Sequence, residues 1–123
     1  MNRKNKLSDE KRIAKAMVDV KYYAESLDTE EARAMLSVLG LFGLPNKHPI
    51  PRFEGAVHRV ATISRLAKTG DVSQEAVASA MIWLGKVNII DVDYLEDEHE
   101  MFVLLDIPRL EALAEQNRRE LGL

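Results

Sequence analysis

The chain predicts a mainly α fold with one β-hairpin, and three observations carry that expectation. Apolar residues recur at spacings of three and four through five separate segments, the signature of amphipathic helices. Two runs, residues 87–95 and 101–105, are instead rich in β-branched and aromatic residues and flank the polar stretch 96–100, as a hairpin would. At 123 residues, 46% hydrophobic and 30% charged, the chain is sized and balanced for one compact globular domain.

Ser8, followed by Asp9 and Glu10, supplies a side-chain acceptor and then acids for the positive end of a helix. Ile13, Ala16, Met17, Val20, Ala24 and Leu27 give that helix an apolar stripe over 9–27. Asp28 and Thr29 open a second helix that runs to about Phe42 on Ala32, Met35, Leu36 and Leu39, with Gly40 and Gly43 ending it. Residues 44–53 hold Pro45, Pro49 and Pro51 and read as a stiff connector, made basic by Lys47, His48 and Arg52. A third helix is expected from about Glu54 to Lys68, on Val57, Val60, Ala61, Ile63, Ser64 and Ala67. His58 would project from it, and Gly70 would close it in a left-handed conformation.

Ser73 caps a fourth helix that runs to about Lys86, with Val72 stapled to Val77. Its buried stripe is expected to be Val77, Ala80, Met81, Leu84 and Val87, with Trp83 in the core beside it. In the first hairpin strand Ile90, Val92 and Tyr94 should face the core. The return strand, Met101 to Leu105, is apolar on both faces and so needs a second cover. The last helix is the expected cover, starting at Asp106 and Pro108 with Leu110, Leu113, Ala114 and Leu121 on one face. The division expected is a basic arm and helix over 1–28, followed by 29–123 with its C-terminal helix, the whole forming one compact domain.

The net charge of -3 hides a polarity along the chain. Residues 1–70 hold 13 Lys and Arg against 8 Asp and Glu, whereas residues 71–123 hold 4 against 12, so the halves carry +5 and -8. Such asymmetry suits a nucleic-acid surface, an acidic surface for a basic protein, or self-association. No apolar run approaches the ~20 residues a membrane span needs, and the polar start has no apolar segment behind it. The absence of cysteine excludes disulfides and thiolate metal sites. A cytoplasmic protein without a membrane partner is the expectation.

The sequence argues against an enzyme, since it has no phosphate-cradling glycine loop, nucleophile elbow or zinc-type helix motif. Asp91, Asp93, Asp97, Glu98 and His99 lack the glycine and the regular ligand spacing of a calcium loop. No cofactor or metal is therefore expected.

The run Val60-Ala61-Thr62-Ile63-Ser64-Arg65-Leu66-Ala67-Lys68-Thr69-Gly70-Asp71-Val72-Ser73-Gln74-Glu75-Ala76-Val77, continuing through Leu84 to Ile90 into the hairpin, resembles a winged helix-turn-helix domain. The resemblance covers about residues 30–106 and is one of pattern. It implies a winged helix-turn-helix with added N-terminal and C-terminal helices, 74–86 as recognition helix and 91–100 as wing. It also implies work within nucleic-acid-handling or regulatory machinery.

Two binding readings follow, with a third for assembly. The hairpin carries Asp91, Asp93, Glu96, Asp97, Glu98 and Glu100 without a Lys or Arg, a charge that repels phosphate and suits a basic protein surface. Ala78 and Ile82, on the outward face of the fourth helix, would add a dry contact beside those acids. The alternative is a DNA-binding regulator. It would use Arg3, Lys4, Lys6, Lys11, Arg12 and Lys15 in the arm and first helix, Lys47 and Arg52 in the connector, and Gln74, Ser79 and Lys86 on the recognition helix. In the third reading the first and last helices form a homodimer or assembly interface.

Overall fold

A computed structural model describes residues 8–47, 49–94 and 100–123. Among them five α-helices accompany a three-stranded antiparallel sheet: α1 (Asp9–Leu27), α2 (Glu30–Gly40), β1 (Val57–Thr62), α3 (Ile63–Gly70), α4 (Gln74–Lys86), β2 (Ile90–Tyr94), β3 (Glu100–Leu105) and α5 (Ile107–Glu120). Short 3₁₀ turns at Leu41–Gly43 and Pro51–Phe53 punctuate the long connection from α2 to β1.

Each helix begins at a side chain that satisfies a free amide. Ser8 accepts from the Lys11 N–H at 3.3 Å, Thr29 from Ala32 at 3.2 Å, and Thr62 from Arg65 at 3.1 Å. Ser73 accepts from Ala76 at 3.1 Å and Asp106 from Arg109 at 3.0 Å. Such caps are each worth about 1 kcal/mol, and they fix where the chain turns into each helix. The starts expected at Ser8, Thr29, Ser73 and Asp106 are therefore the starts observed.

The expected third helix is corrected. Its first half is the strand β1, and α3 begins at Ile63. Val57, Val60 and Ala61 sit at helical spacing, yet Val57, Val60 and Thr62 are β-branched and lie beside an unfilled strand edge. Long-range pairing decides: β1 runs antiparallel to β3 with Val57 opposite Leu105 and Thr62 opposite Glu100. β2 pairs with the other edge of β3, giving the order β1-β3-β2 in place of a lone hairpin.

The central position of β3 explains why it is apolar on both faces. Met101, Val103 and Leu105 are buried in the common core, while Phe102 and Leu104 on the opposite face are half-buried. The cover on that opposite face is Phe53 of the second 3₁₀ turn, edge-on to Phe102 with ring centroids 5.2 Å apart. The last helix does not provide it: α5 packs along α1 instead. Arg12 near the start of α1 meets Glu111 near the start of α5, and Leu27 and Glu120 border one cavity at the far ends, so the two helices run in the same direction. The first and last helices thus spend an apolar face on each other within the chain.

Val20, Val38, Leu39, Val77, Leu84, Met101, Val103 and Leu110 form the most deeply buried part of a single core drawn from every helix and the sheet. Burial of each such side chain contributes about 1.5–3 kcal/mol. Four expected core residues lie at its margin: Leu27, Trp83, Val87 and Tyr94 are exposed. Trp83 flanks the stripe of α4 that buries Ala76, Val77, Ala80, Met81 and Leu84, and Tyr94 ends an edge strand that faces a groove.

Gly70 is helical, and Asp71 takes the left-handed position expected of it, with φ 52°. The glycine serves a close approach: a Cβ there would lie 2.9 Å from the Ser37 Cβ. α2 and α3 are locked at this crossing by the Ser37 hydroxyl, which donates to the Leu66 carbonyl at 2.6 Å.

Candidate functional site

Between α4 and the hairpin lies a groove of about 650 Å³. The chain reaches it through Asn88, whose φ of 62° reverses direction between helix and strand. The Ile89 N–H donates to the Leu84 carbonyl at 2.9 Å, and the Ile89 carbonyl accepts from the Asp106 N–H at 2.9 Å. These two bonds hold β2 and the end of β3 against α4. Ile82 from α4 and Tyr94 from β2 line the groove and are 61% and 66% exposed. Asp91 and Asp106 bring carboxylates to the same groove.

The N-terminus of α4 is already engaged. Glu30 of α2 accepts from the Ser73 N–H at 3.3 Å and from the Ser73 hydroxyl at 3.2 Å. A carboxylate therefore stands where free helix amides would otherwise attract a phosphate.

Two residues assigned by sequence to opposite readings meet each other, and Arg12 of the nucleic-acid reading is likewise paired. Arg52 and Asp93 form an ion pair across the sheet edge. The Arg52 guanidinium also lies 4.6 Å from the Phe53 ring centroid and 5.9 Å from that of Phe102, a cation–π arrangement. Arg12 donates to Glu111 through Nε at 3.2 Å and Nη2 at 2.5 Å, a two-point bond that ties α1 to α5. This bond holds the Glu111 carboxyl below its usual value and the Arg12 guanidinium above its own.

Of the remaining acidic and apolar candidates, Glu100 is exposed at the start of β3, Ala78 is half-buried on α4, and Glu96, Asp97 and Glu98 lie outside the described residues. Of the cationic and polar candidates, Lys11 and Lys15 are exposed on α1, Lys47 on the connector, and Gln74, Ser79 and Lys86 on α4. Arg3, Lys4 and Lys6 lie outside the described residues. Among the described residues, no group of three or more His, Asp or Glu could hold a metal. Asp97, Glu98 and His99 fall outside that statement. No described helix is long and apolar enough to cross a membrane.

Sequence reasoning missed the polar ties that hold the proline-rich connector. His58, expected on a helix surface, is a buried strand residue 4% exposed. Its Nε2 accepts from the Ile50 N–H at 2.9 Å and from the Asn46 amide at 3.3 Å, and its Nδ1 donates to the Ala56 carbonyl at 2.9 Å. Because Ile50 can only donate and Ala56 can only accept, the ring is the neutral Nδ1–H tautomer. Arg59 next to it donates to the Leu44 carbonyl at 2.7 and 3.1 Å and to the His58 carbonyl at 2.6 Å. Burial pulls the Arg59 guanidinium below its usual value, with Glu10 opposing that shift. The β-branched Val57, Val60 and Thr62 are the one local hint of a strand, and no apolar/polar alternation accompanies them.

No protein-family model, curated protein or solved structure matches this chain.

Proposed function

We propose that the chain is a non-enzymatic winged-helix binding protein that recognises a basic protein surface through the groove between α4 and β2. The order helix, strand, helix, helix, strand, strand from α2 to β3, with β1 on the far edge of the sheet, supports the winged-helix reading. The observation that carries the functional reading is the groove itself. It presents two large exposed apolar side chains, Ile82 and Tyr94, beside the Asp91 and Asp106 carboxylates. An apolar anchor within an acidic rim fits a partner that offers an aliphatic or aromatic side chain among Lys and Arg. The sequence between β2 and β3 adds Glu96, Asp97 and Glu98 to that charge. Such a protein would act within nucleic-acid-handling or regulatory machinery, an inference that rests on fold analogy.

DNA binding is the second reading, favoured by the exposure of Gln74, Ser79 and Lys86 on α4. Against it stand Glu30 at the helix N-terminus and Asp91 beside the helix, where phosphate contact would have to supply most of the affinity.

Anisotropy titrations with two probes separate the readings: a labelled amphipathic Leu/Lys helical peptide and a labelled mixed-sequence duplex DNA. The peptide should bind and the duplex should not. Burying the exposed three-fifths of Ile82 is worth about 1–2 kcal/mol, so Ile82→Ala should weaken the peptide by roughly 5- to 30-fold. Asp91→Lys should weaken it again. Duplex binding that falls steeply with salt, together with indifference of the peptide to both substitutions, would replace this reading by the DNA one.

A further inference from the structure

We propose that residues 49–56 form a strap across the outer face of the sheet, held shut by the neutral imidazole of His58 and released when that ring takes up a proton. The strap has few ways to be tied. Pro49 and Pro51 carry no N–H, so across Pro49-Ile50-Pro51 the backbone offers a single donor, that of Ile50. This donor goes to the His58 Nε2 at 2.9 Å, and the ring returns its Nδ1–H to the Ala56 carbonyl at 2.9 Å. One imidazole therefore grips both ends of the strap. Between those ends the Phe53 N–H bonds to the Ile50 carbonyl, Glu54 to Pro51 and Ala56 to Phe53, at 2.9, 3.1 and 2.9 Å, so the segment is braced and can move as one piece.

The grip exists in one charge state only. A protonated imidazole donates from both nitrogens and accepts at neither, so its Nε2–H would face the Ile50 N–H. Asn46 could turn its amide oxygen to the ring, but a backbone N–H has nothing to turn. His58 is 4% exposed, which leaves little water to take over the lost bond. Charged groups around the ring do not compensate either. Lys47 beside Asn46, Arg52 in the strap and Arg59 next in the chain are cations, and Glu10 of α1 acts on Arg59. Glu54 of the strap is exposed, Asp93 of β2 is engaged by Arg52, and Asp91 lines the α4–β2 groove. The hydrogen-bond partners of the ring among the described residues are Asn46, Ile50 and Ala56, with no carboxylate between them.

Release has a consequence because of what the strap covers. His58 stands opposite Leu104 of β3, and Asp91 and Asp93 stand opposite Leu104 and Phe102 from the other side, so all five share one face. Phe53 lies against Phe102, while the Arg52–Asp93 pair is exposed at both partners and adds little hold. Lifting the strap uncovers Phe102 and Leu104 and frees the Asp93 carboxylate beside them. Ala56 and Leu104 also border the α4–β2 groove, yet release does not depend on what that groove binds.

Hydrogen exchange of the Ile50 amide reads the strap directly, as a protection factor corrected for the intrinsic rate at each pH. An exposed imidazole titrates near about 6.5, whereas carboxylates ordinarily do so below about 4.5. With a closed strap that takes up no proton, the ratio of open to closed rises about 30-fold from about pH 7.5 to about pH 5, and Ile50 protection falls by as much. It should stay below that of Val20, buried within α1, because the strap opens without the core. His58→Gln keeps an acceptor for Ile50 and has no proton to gain, so its protection factors should agree within about twofold at the two pH values. The other two histidines, replaced together as His48→Asn and His99→Asn, should leave the wild-type fall unchanged.

Wild-type protection that is constant with pH would overturn the proposal, as would a fall that persists in His58→Gln or disappears in the double Asn variant. Equal protection at Ile50 and Val20 would overturn it too, since the strap would then open only with the whole fold. Should His58→Gln not fold, the imidazole ¹⁵N signals of the wild type decide: a His58 ring that becomes protonated while Ile50 keeps its protection refutes the coupling.

Discussion

His58→Leu tests how the proline-rich connector is fastened to the sheet, and with it the position of Arg52. The imidazole makes two well-formed bonds, from the Ile50 N–H and to the Ala56 carbonyl, each at 2.9 Å, and a longer one from Asn46. Net hydrogen bonds of this kind contribute about 1 kcal/mol each, and more when the abandoned partner stays buried. The ring also lies 5.4 Å from the Phe53 ring, a contact worth about 0.5–1.5 kcal/mol beyond its area. Leucine keeps the apolar volume and removes all of the polar partners, so the expected loss is about 2–3 kcal/mol. Against a stability of about 5–15 kcal/mol for a domain of this size, the variant still folds. Urea denaturation of both proteins measures the difference, and two-dimensional ¹⁵N spectra of the imidazole in the wild type read the tautomer. A loss below about 0.5 kcal/mol, or an Nε2–H tautomer in the native protein, would refute the latch.

Gly70→Ala should destabilise the fold by about 1 kcal/mol, because overpacking against the Ser37 Cβ at 2.9 Å outweighs the gain in helix propensity. A double-mutant cycle with Ser37→Gly, followed by thermal melting, should show the penalty disappear once that Cβ is gone. Glu111 has a folded value below its unfolded one because Arg12 hydrogen-bonds to it, so its stabilisation is present above the unfolded value and lost as pH falls through the folded one. Glu111→Gln should therefore lower the urea midpoint at about pH 7, and the difference should shrink as pH falls through the folded titration.

Local chemistry was legible in the chain because it acts over three or four residues. The caps at Ser8, Thr29, Ser73 and Asp106 each need one side chain and one nearby amide, and their helices start where those residues stand. β1 was not legible, since its identity depends on β3, some forty residues later, offering a free edge opposite Val57 to Thr62. The same dependence hid Phe53. Nothing in Pro51-Arg52-Phe53 says that its ring will cover Phe102 and so replace α5 as the second layer over the sheet. At the site, the outward face of α4 followed from helical spacing, and Ile82 is exposed there. The reach of Tyr94 into the groove did not follow, because alternation assigns a strand residue to a face without saying where the helices behind that face stop.

The charge separation along the chain is partly consumed by folding, and that decides how much of it a partner can use. Among the described residues, Arg12 with Glu111 and Arg52 with Asp93 each join a cation from the basic half to a carboxylate from the acidic half. The other two ion pairs, Arg33 with Asp28 and Arg119 with Glu115, are local and leave the balance between halves unchanged. Two cations on which a DNA-binding surface would depend are thus committed to holding α1 on α5 and the connector on the sheet. One acid of the hairpin, Asp93, is paired at the same time. Asp91 remains at the groove with Asp106, which also caps α5, and both lie beside Ile82 and Tyr94, where a partner of the proposed kind would exclude water. Charge in such a place gains strength as the contact dries, whereas the exposed Lys11 and Lys15 stay screened by salt. On the proposed reading, the fold therefore leaves its acidic face better placed than its basic one to select a partner.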